Sequence, residues 1–211
     1  MKDVRLADDR QLPKELIPAA SLSFGGLRNQ YRRDGVGAEL VAVTAKRVVS
    51  KDSDELPWSE TPFPAITALA HFPGKTLEEV LSTYEVEVIG YDPYRHDSVE
   101  IHGVEVPLAA NFTSGYGLWL ARSGFARQSL LTLVGRGEVL ERPHVYMLQP
   151  FDPDRRIIVM LHGLASSPEA WINVANEVLG DEELRRNFQI WQVYYPTNLP
   201  IAVNNQAIRQ A

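Results

Sequence analysis

The sequence predicts an α/β protein in two parts: a small antiparallel β-rich region, then the opening strands and helices of a parallel sheet. Three observations carry that prediction. From residue 144 onward the pattern alternates strand, helix, strand, helix, the order that builds a parallel sheet. Within it "IIVML" (157–161) is apolar on consecutive residues, as in a strand covered on both faces. Upstream, between 84 and 107, apolar residues alternate with polar ones and fold back across a two-residue turn.

Residues 1–34 read as a polar arm, irregular or helical. "LRNQYRRDG" holds Arg28, Arg32 and Arg33, and a solvated or salt-bridged arm explains them better than an anion site. Residues 35–143 form the β-rich region with two short helices. "AELVAVTAKRVV" and "FPAITALAHF" are rich in apolar and β-branched residues and predict strands. In "YEVEVIGYDP", Tyr84, Val86 and Val88 share one face, and Glu85 and Glu87 the other. "SVEIHGVEVPL" is a hairpin in which Val99 and Ile101 mirror Val104 and Val106, with Gly103 free to take the positive φ of the turn. "SGYGLWLARSGFARQSLLTLVGRG" has helical spacing, broken at Ser123 and Gly124.

Residues 144–211 carry the alternating pattern. "HVYMLQP" and "RRIIVMLHG" are strands joined by a turn at Asp152, Pro153 and Asp154. Ser166 with Glu169 fits a capping box, with Ser167 before Pro168 competing for the cap. The helix buries a stripe of Trp171, Val174, Ala175 and Val178 and ends at Gly180 in a left-handed conformation. "NFQIWQVYYPT" is the next strand and "LPIAVNNQAIRQA" begins a helix.

Composition removes several function classes. Net charge is −6, whereas a phosphate backbone wants a basic face, so nucleic acid is not expected as a partner. There is no cysteine, so disulfides and thiolate zinc sites are excluded; this fits periplasm and cytosol alike. No apolar run approaches bilayer length. "MKDVRLADDRQLPKE" has no apolar core of a signal peptide, and it does not read like a domain edge, so an upstream segment is expected. "PGKT" (73–76) resembles the end of a phosphate-binding loop, but Leu69 stands where that loop needs glycine. Asn111, Phe112 and Thr113 form a glycosylation triplet of the kind that arises by chance. His96, Asp97 and His102 lie near one hairpin, where surface polarity explains them better than a metal. No cofactor and no metal site is expected.

The most informative stretch is "VMLHGLASSPEAW" (159–171): a strand, His-Gly, then a capped helix start. It resembles the oxyanion loop that follows an early central strand in lipases and esterases of the α/β-hydrolase fold. "FQIWQVYYPTNLP" is similar to the strand after that fold's first helix. "GYDPYRHDSVEIHGVEVPLAANFTSGYGLWLARSGF" followed by "LQPFDPDRRIIVMLHG" resembles a group of large bacterial α/β-hydrolases with a β-rich N-terminal region. The resemblance implies that 144–211 is the N-terminal half of an α/β-hydrolase sheet, incomplete as it stands. Acyl transfer makes an anionic tetrahedral oxygen, and each fixed N–H aimed at it contributes about 3–4 kcal/mol. The family's second donor falls on the backbone N–H of Leu164. Gly163 would keep a side chain out of the acyl pocket, and His162 would brace the loop by hydrogen bonding. Leu164 and Trp171 would flank an acyl chain.

The nucleophile of that family sits in G-x-S-x-G on a strand-to-helix turn. Ser114, Ser123, Ser129, Ser166 and Ser167 have no glycines at both flanking positions. The family order is Ser, then acid, then His, so all three are expected beyond residue 211. Three function classes follow: a piece of a serine hydrolase acting on carboxylic esters or lipids; a non-catalytic product binding a partner or a membrane surface; and an acyltransferase or thioesterase on the same fold. A sheet cut before its central strands also predicts self-association through its apolar edge.

Overall fold

The computed structural model describes residues 3–6, 13–44, 56–125, 143–164, 166–197 and 199–211. They mix helix and strand and fall into two compact units. One comprises Met1–Ser23, Gln30–Ala45 and Pro62–Gly115; the other comprises Phe24–Asn29, Lys46–Thr61 and Tyr116–Ala211.

The first unit is built on a five-stranded sheet. Its strands are β1 (Asp3–Leu6), β2 (Glu15–Pro18), β4 (Ala38–Val43), β6 (Ala65–His71) and β7 (Glu87–Tyr91), in the order β1-β7-β6-β4-β2. Pairing is antiparallel except between β1 and β7. The polar N-terminal stretch, read as irregular or helical, thus contributes strands. Backbone pairing to β4 overrides the weak side-chain pattern of "ELIP". Val41, Ala42, Ala65 and Ile66 are buried in this sheet. The two-residue β3 (Arg32–Arg33) pairs with β10 (Ala110–Asn111). The helix α1 (Leu77–Ser82) starts at Thr76, where Thr76 and Glu79 form a capping box, so "PGKT" ends as a helix cap. Tyr84 precedes β7 and is fully exposed, so it does not share a buried strand face with Val86 and Val88. The hairpin of β8 (Ser98–Ile101) and β9 (Val104–Pro107) has the expected register, Val99 opposite Val106 and Ile101 opposite Val104. Its turn takes positive φ at both His102 (51°) and Gly103 (78°), as a turn matching the strand twist requires.

The second unit holds a four-stranded sheet. Its strands are β5 (Trp58–Glu60), β11 (His144–Met147), β12 (Arg156–Leu161) and β13 (Phe188–Tyr194), in the order β12-β13-β11-β5. β12 runs parallel to β13 and β11 parallel to β5, but β11 is antiparallel to β13. The sheet is therefore mixed rather than wholly parallel, because the tight link between β11 and β12 reverses the chain. Between β12 and β13 come a 3-10 turn (Pro168–Trp171), α3 (Ile172–Gly180) and α4 (Glu182–Asn187); α5 (Ile201–Gln210) follows β13. The helix α2 (Ser114–Ser123) ends before Gly124, at φ 69°. The second short helix expected after that break lies outside the described residues.

Three local expectations change. Ser167 takes the cap position before Pro168 without a side-chain cap bond, and the expected box of Ser166 with Glu169 does not form there. The buried side of α3 is Ala175, Asn176, Val178 and Leu179, while Val174 is half exposed. Asn176 is on that side because its Nδ2 donates to Asn29 O at 2.9 Å. Gly180 does not turn left-handed. The chain leaves α3 through Asp181, in extended conformation, and Asp181 at once accepts the Leu184 N–H to cap α4, a helix the periodicity did not reveal. The run 157–161 is not covered on both faces either: Met160 is buried, but Ile157, Val159 and Leu161 are 42, 55 and 45% exposed. β12 is an edge strand, so one face and one side meet solvent. Among the described residues no helix is long and apolar enough to cross a membrane.

Gly35 marks the tightest backbone approach. A Cβ there would lie 2.3 Å from Pro107 O and 2.6 Å from Ala109 N, at the point where Val36 N–H bonds Pro107 O. Gly35→Ala is expected to cost about 1–3 kcal/mol through forced backbone shifts, read as a lower denaturant midpoint.

Candidate functional site

The candidate site forms where β12 ends. β12 and β13 are parallel, so their C-terminal ends lie at the same edge of the sheet, where open α/β sheets bind ligands. Leu161 pairs with Val193 and His144 with Tyr194, which brings His162, Tyr194 and His144 to one end of three neighbouring strands.

His162 is 3% exposed. Its Nε2 accepts the Tyr195 N–H at 3.4 Å, which leaves the ring proton on Nδ1, 3.2 Å from Gly163 O. The Tyr195 hydroxyl donates to His162 O, and the two rings stack at 4.5 Å with a 16° interplanar angle. The Tyr194 ring lies 5.8 Å away, tilted by 40°. Burial pulls the imidazole below its ordinary value of 6.5, against a smaller upward pull from Gly163 O. The ring is therefore neutral at pH 7 and does what a brace does: it ties the loop after β12 to the end of β13.

Gly163 and Leu164 follow on this brace. Gly163 does not take a positive φ, and a Cβ placed on it meets nothing within 4 Å. Neither backbone strain nor packing demands glycine there. Leu164 is 79% exposed, and among the described residues nothing accepts its N–H. The N–H expected to be this loop's donor thus lies close to a fixed ring and has no acceptor among the described residues. Trp171 returns over the loop, its Nε1 donating to Leu161 O at 3.0 Å; that bond makes it part of the loop's frame as well as an apolar flank.

Aromatic rings pack around the end of β13. Phe125 stacks on Tyr194 at 5.4 Å, and Trp119 packs against Phe125 and Tyr146. The buried Tyr116 hydroxyl accepts from Gln192 Nε2 at 2.9 Å, and burial pushes the phenol pKa up, so it stays protonated.

Comparison with protein-family models, with curated proteins and with solved structures finds no match for the chain.

The other residues singled out by sequence fall elsewhere. Arg32 pairs with Glu39 at 2.8 Å, and Arg33 is held by Leu108 O, His96 O and Asp97. These two are salt-bridged structural residues, as expected for the arm. His96 and Asp97 serve that arginine, while His102 sits in the hairpin turn; no group of metal-ligating residues occurs among the described residues. Asn111 is buried, and its Oδ1 accepts the Thr113 and Ser114 N–H groups at the start of α2, so in the folded chain its side chain is enclosed rather than presented for glycosylation. Ser167 Oγ lies 3.4 Å from Glu169. One contact had no sequence signal: Ser59 Oγ lies 2.8 Å from His144 Nε2, across β5 and β11. The two residues are far apart in sequence and belong to no motif. Ser59 is three strands from β12, about 14 Å at strand spacing, so the Leu164 amide does not face it.

Two measurements follow. Gly163→Ala is expected to leave stability within about 0.5 kcal/mol, since the added methyl meets open space. For His162 the folded pKa lies below the unfolded value near 6.5, so the folded state binds fewer protons. Its contribution to stability is full above that value and is lost as the pH falls towards the folded pKa. Melting temperature should therefore drop more steeply for the wild type than for His162→Gln between about pH 7.5 and about pH 5.

Proposed function

We propose that this chain supplies the oxyanion-loop half of an acyl-transfer site of the serine-hydrolase type, acting on carboxylic esters or lipids. The observation that carries the reading is the buried, neutral His162, pinned by the Tyr195 N–H and holding the Gly163–Leu164 loop at the carboxyl end of β12. Such a loop needs a donor fixed before the charge develops, and a brace that is not itself the base. The order of elements supports it: a strand antiparallel to its neighbour, the His-Gly strand, a helical crossover, and a strand placed between the two. That is the arrangement an opening α/β-hydrolase sheet requires. A glycine at 163, demanded by neither φ nor packing, fits a position kept bare for a ligand.

In this reading the ester carbonyl oxygen approaches the Leu164 N–H as it becomes anionic, and Leu164 and Trp171 line the acyl chain. No serine in residues 1–211 stands in a G-x-S-x-G sequence, so the nucleophile comes from elsewhere. The 211-residue chain by itself is expected not to turn over p-nitrophenyl esters. Turnover above a heat-killed control, inhibited by a fluorophosphonate, would contradict that. Expression with the codons that follow residue 211, in each frame, tests the reading further: a fluorophosphonate should label a serine between glycines two residues to either side. No labelled serine in any frame would overturn it. In the active protein Leu164→Pro, which deletes the N–H, should lower kcat on the order of 100-fold or more with little change in KM. Leu164→Ala, which keeps the N–H, should cost far less. A folded proline variant with near-normal kcat would remove the oxyanion role.

A further inference from the structure

The Leu164 N–H is one half of a peptide unit, and the other half touches His162. Gly163 C=O and Leu164 N–H share one planar unit, and in a trans peptide they point to opposite sides. His162 Nδ1 lies 3.2 Å from Gly163 O. A ring proton on Nδ1 therefore holds that oxygen towards the imidazole and aims the Leu164 N–H away from it. Glycine makes such a hold necessary. Gly163 has no Cβ, and an added one would meet nothing within 4 Å, so neither sterics nor packing fixes the rotation of the unit.

Nδ1 is the donor because Nε2 is already an acceptor. Tyr195 N–H donates to Nε2 at 3.4 Å, and a neutral imidazole has one donor nitrogen and one acceptor. The stacked Tyr195 ring and the hydroxyl bond to His162 O keep the two residues together. A relay of bonds thus runs from Tyr195 N–H through the imidazole to Gly163 O, and its last member carries the Leu164 amide. The surrounding elements bring few titratable groups. Tyr194 and Tyr195 contact the ring, β11 brings His144 beside Tyr194, and the 3-10 turn brings Glu169, whose charge acts on Tyr116. None of these charges sets the state of His162, which burial holds neutral against the smaller pull of Gly163 O.

We propose that Tyr195 is the positioning residue of this loop: acting through His162 it sets the direction of the Leu164 N–H, and protonation of His162 undoes the setting. The proposal rests on the acyl-transfer reading for the use of that N–H. A second ring proton falls on Nε2 and faces the Tyr195 N–H, donor against donor. Either the imidazolium turns or the Tyr195 backbone withdraws. A turn takes Nδ1 off Gly163 O, and a withdrawal takes the Tyr195 hydroxyl off His162 O. Both free the Gly163–Leu164 unit. Since burial lowers the pKa of the ring from 6.5, the donor stays set at neutral pH and is released in acid.

NMR of the 211-residue chain with isotope-labelled histidine and backbone nitrogens tests this. His162→Gln identifies the His162 signals among the five histidines by removing them. At about pH 7.5 the ring proton is expected on Nδ1. On lowering the pH to about 4.5, the Leu164 and Tyr195 amide signals should move with the midpoint of the His162 ring. Exchange of the Tyr195 amide, corrected for pH, should rise on the order of tenfold across that midpoint. The Ile190 amide, bonded to Gln149 in the middle of the sheet, should not follow. In His162→Gln the Leu164 amide should lose this titration; if that variant does not fold, the wild-type titration decides alone. A ring proton on Nε2 at neutral pH, a Leu164 amide that does not follow the ring or still titrates in folded His162→Gln, or a chain that unfolds as a whole before the ring titrates would each overturn the proposal. None of these readings uses activity, so their failure is separate from failure of the acyl-transfer reading, which the kinetics of Leu164→Pro decide.

Discussion

The second unit depends on hydrogen bonds made by buried glutamines on and beside β13. Gln149, Gln189 and Gln192 are almost wholly excluded from water. A primary amide in that position destabilises the fold unless it is bonded. Gln149 Oε1 accepts the Ile190 N–H, so a side chain continues the ladder where β11 has ended. Gln189 Nε2 reaches Asp152 O and Arg155 O, which fastens the turn before β12 to the middle of the sheet. Gln192 Nε2 meets the Tyr116 hydroxyl and so docks α2 on the same face. A slip of one residue in β13 would break all of these bonds at once, and its register is therefore set by polar satisfaction as much as by apolar burial.

That register has a direct consequence at the sheet's end. It puts Tyr194 beside His144 and carries Tyr195 just past the strand, where its N–H meets His162 Nε2 and its hydroxyl meets His162 O. The loop after β12 is positioned by the loop after β13. Burial of the imidazole then keeps it neutral, so the bond that orients the ring is also the one that fixes its tautomer.

Much of this was legible in the residues. The hairpin at 98–107 could be read because its information is local: alternation on two short runs and a glycine in the turn. His162, Gly163 and Leu164 stand out as a candidate loop because strand, His-Gly and helix start are contiguous. What escaped were features whose partners are distant. The strands β2 and β5 have little pattern of their own and exist through pairing with β4 and β11. Asn176 looks out of place on a buried helix face until Asn29 is seen to accept from it. The contact of Ser59 with His144 joins residues 85 positions apart.

Sequence by itself determined the local grammar: which runs extend, where His-Gly interrupts, and that the chain holds no cysteine. These follow from side-chain periodicity and composition, which act over a few residues. Only the tertiary structure decided which faces meet water. The run 157–161 predicts burial on both sides, yet β12 lies at the edge and shows Ile157, Val159 and Leu161 to solvent. The same holds for strand direction, where β11 turns antiparallel in a sheet whose pattern reads as parallel. Edge and direction are properties of how strands are ordered in space, and strand order is set by hydrogen bonds between segments that the linear pattern does not connect.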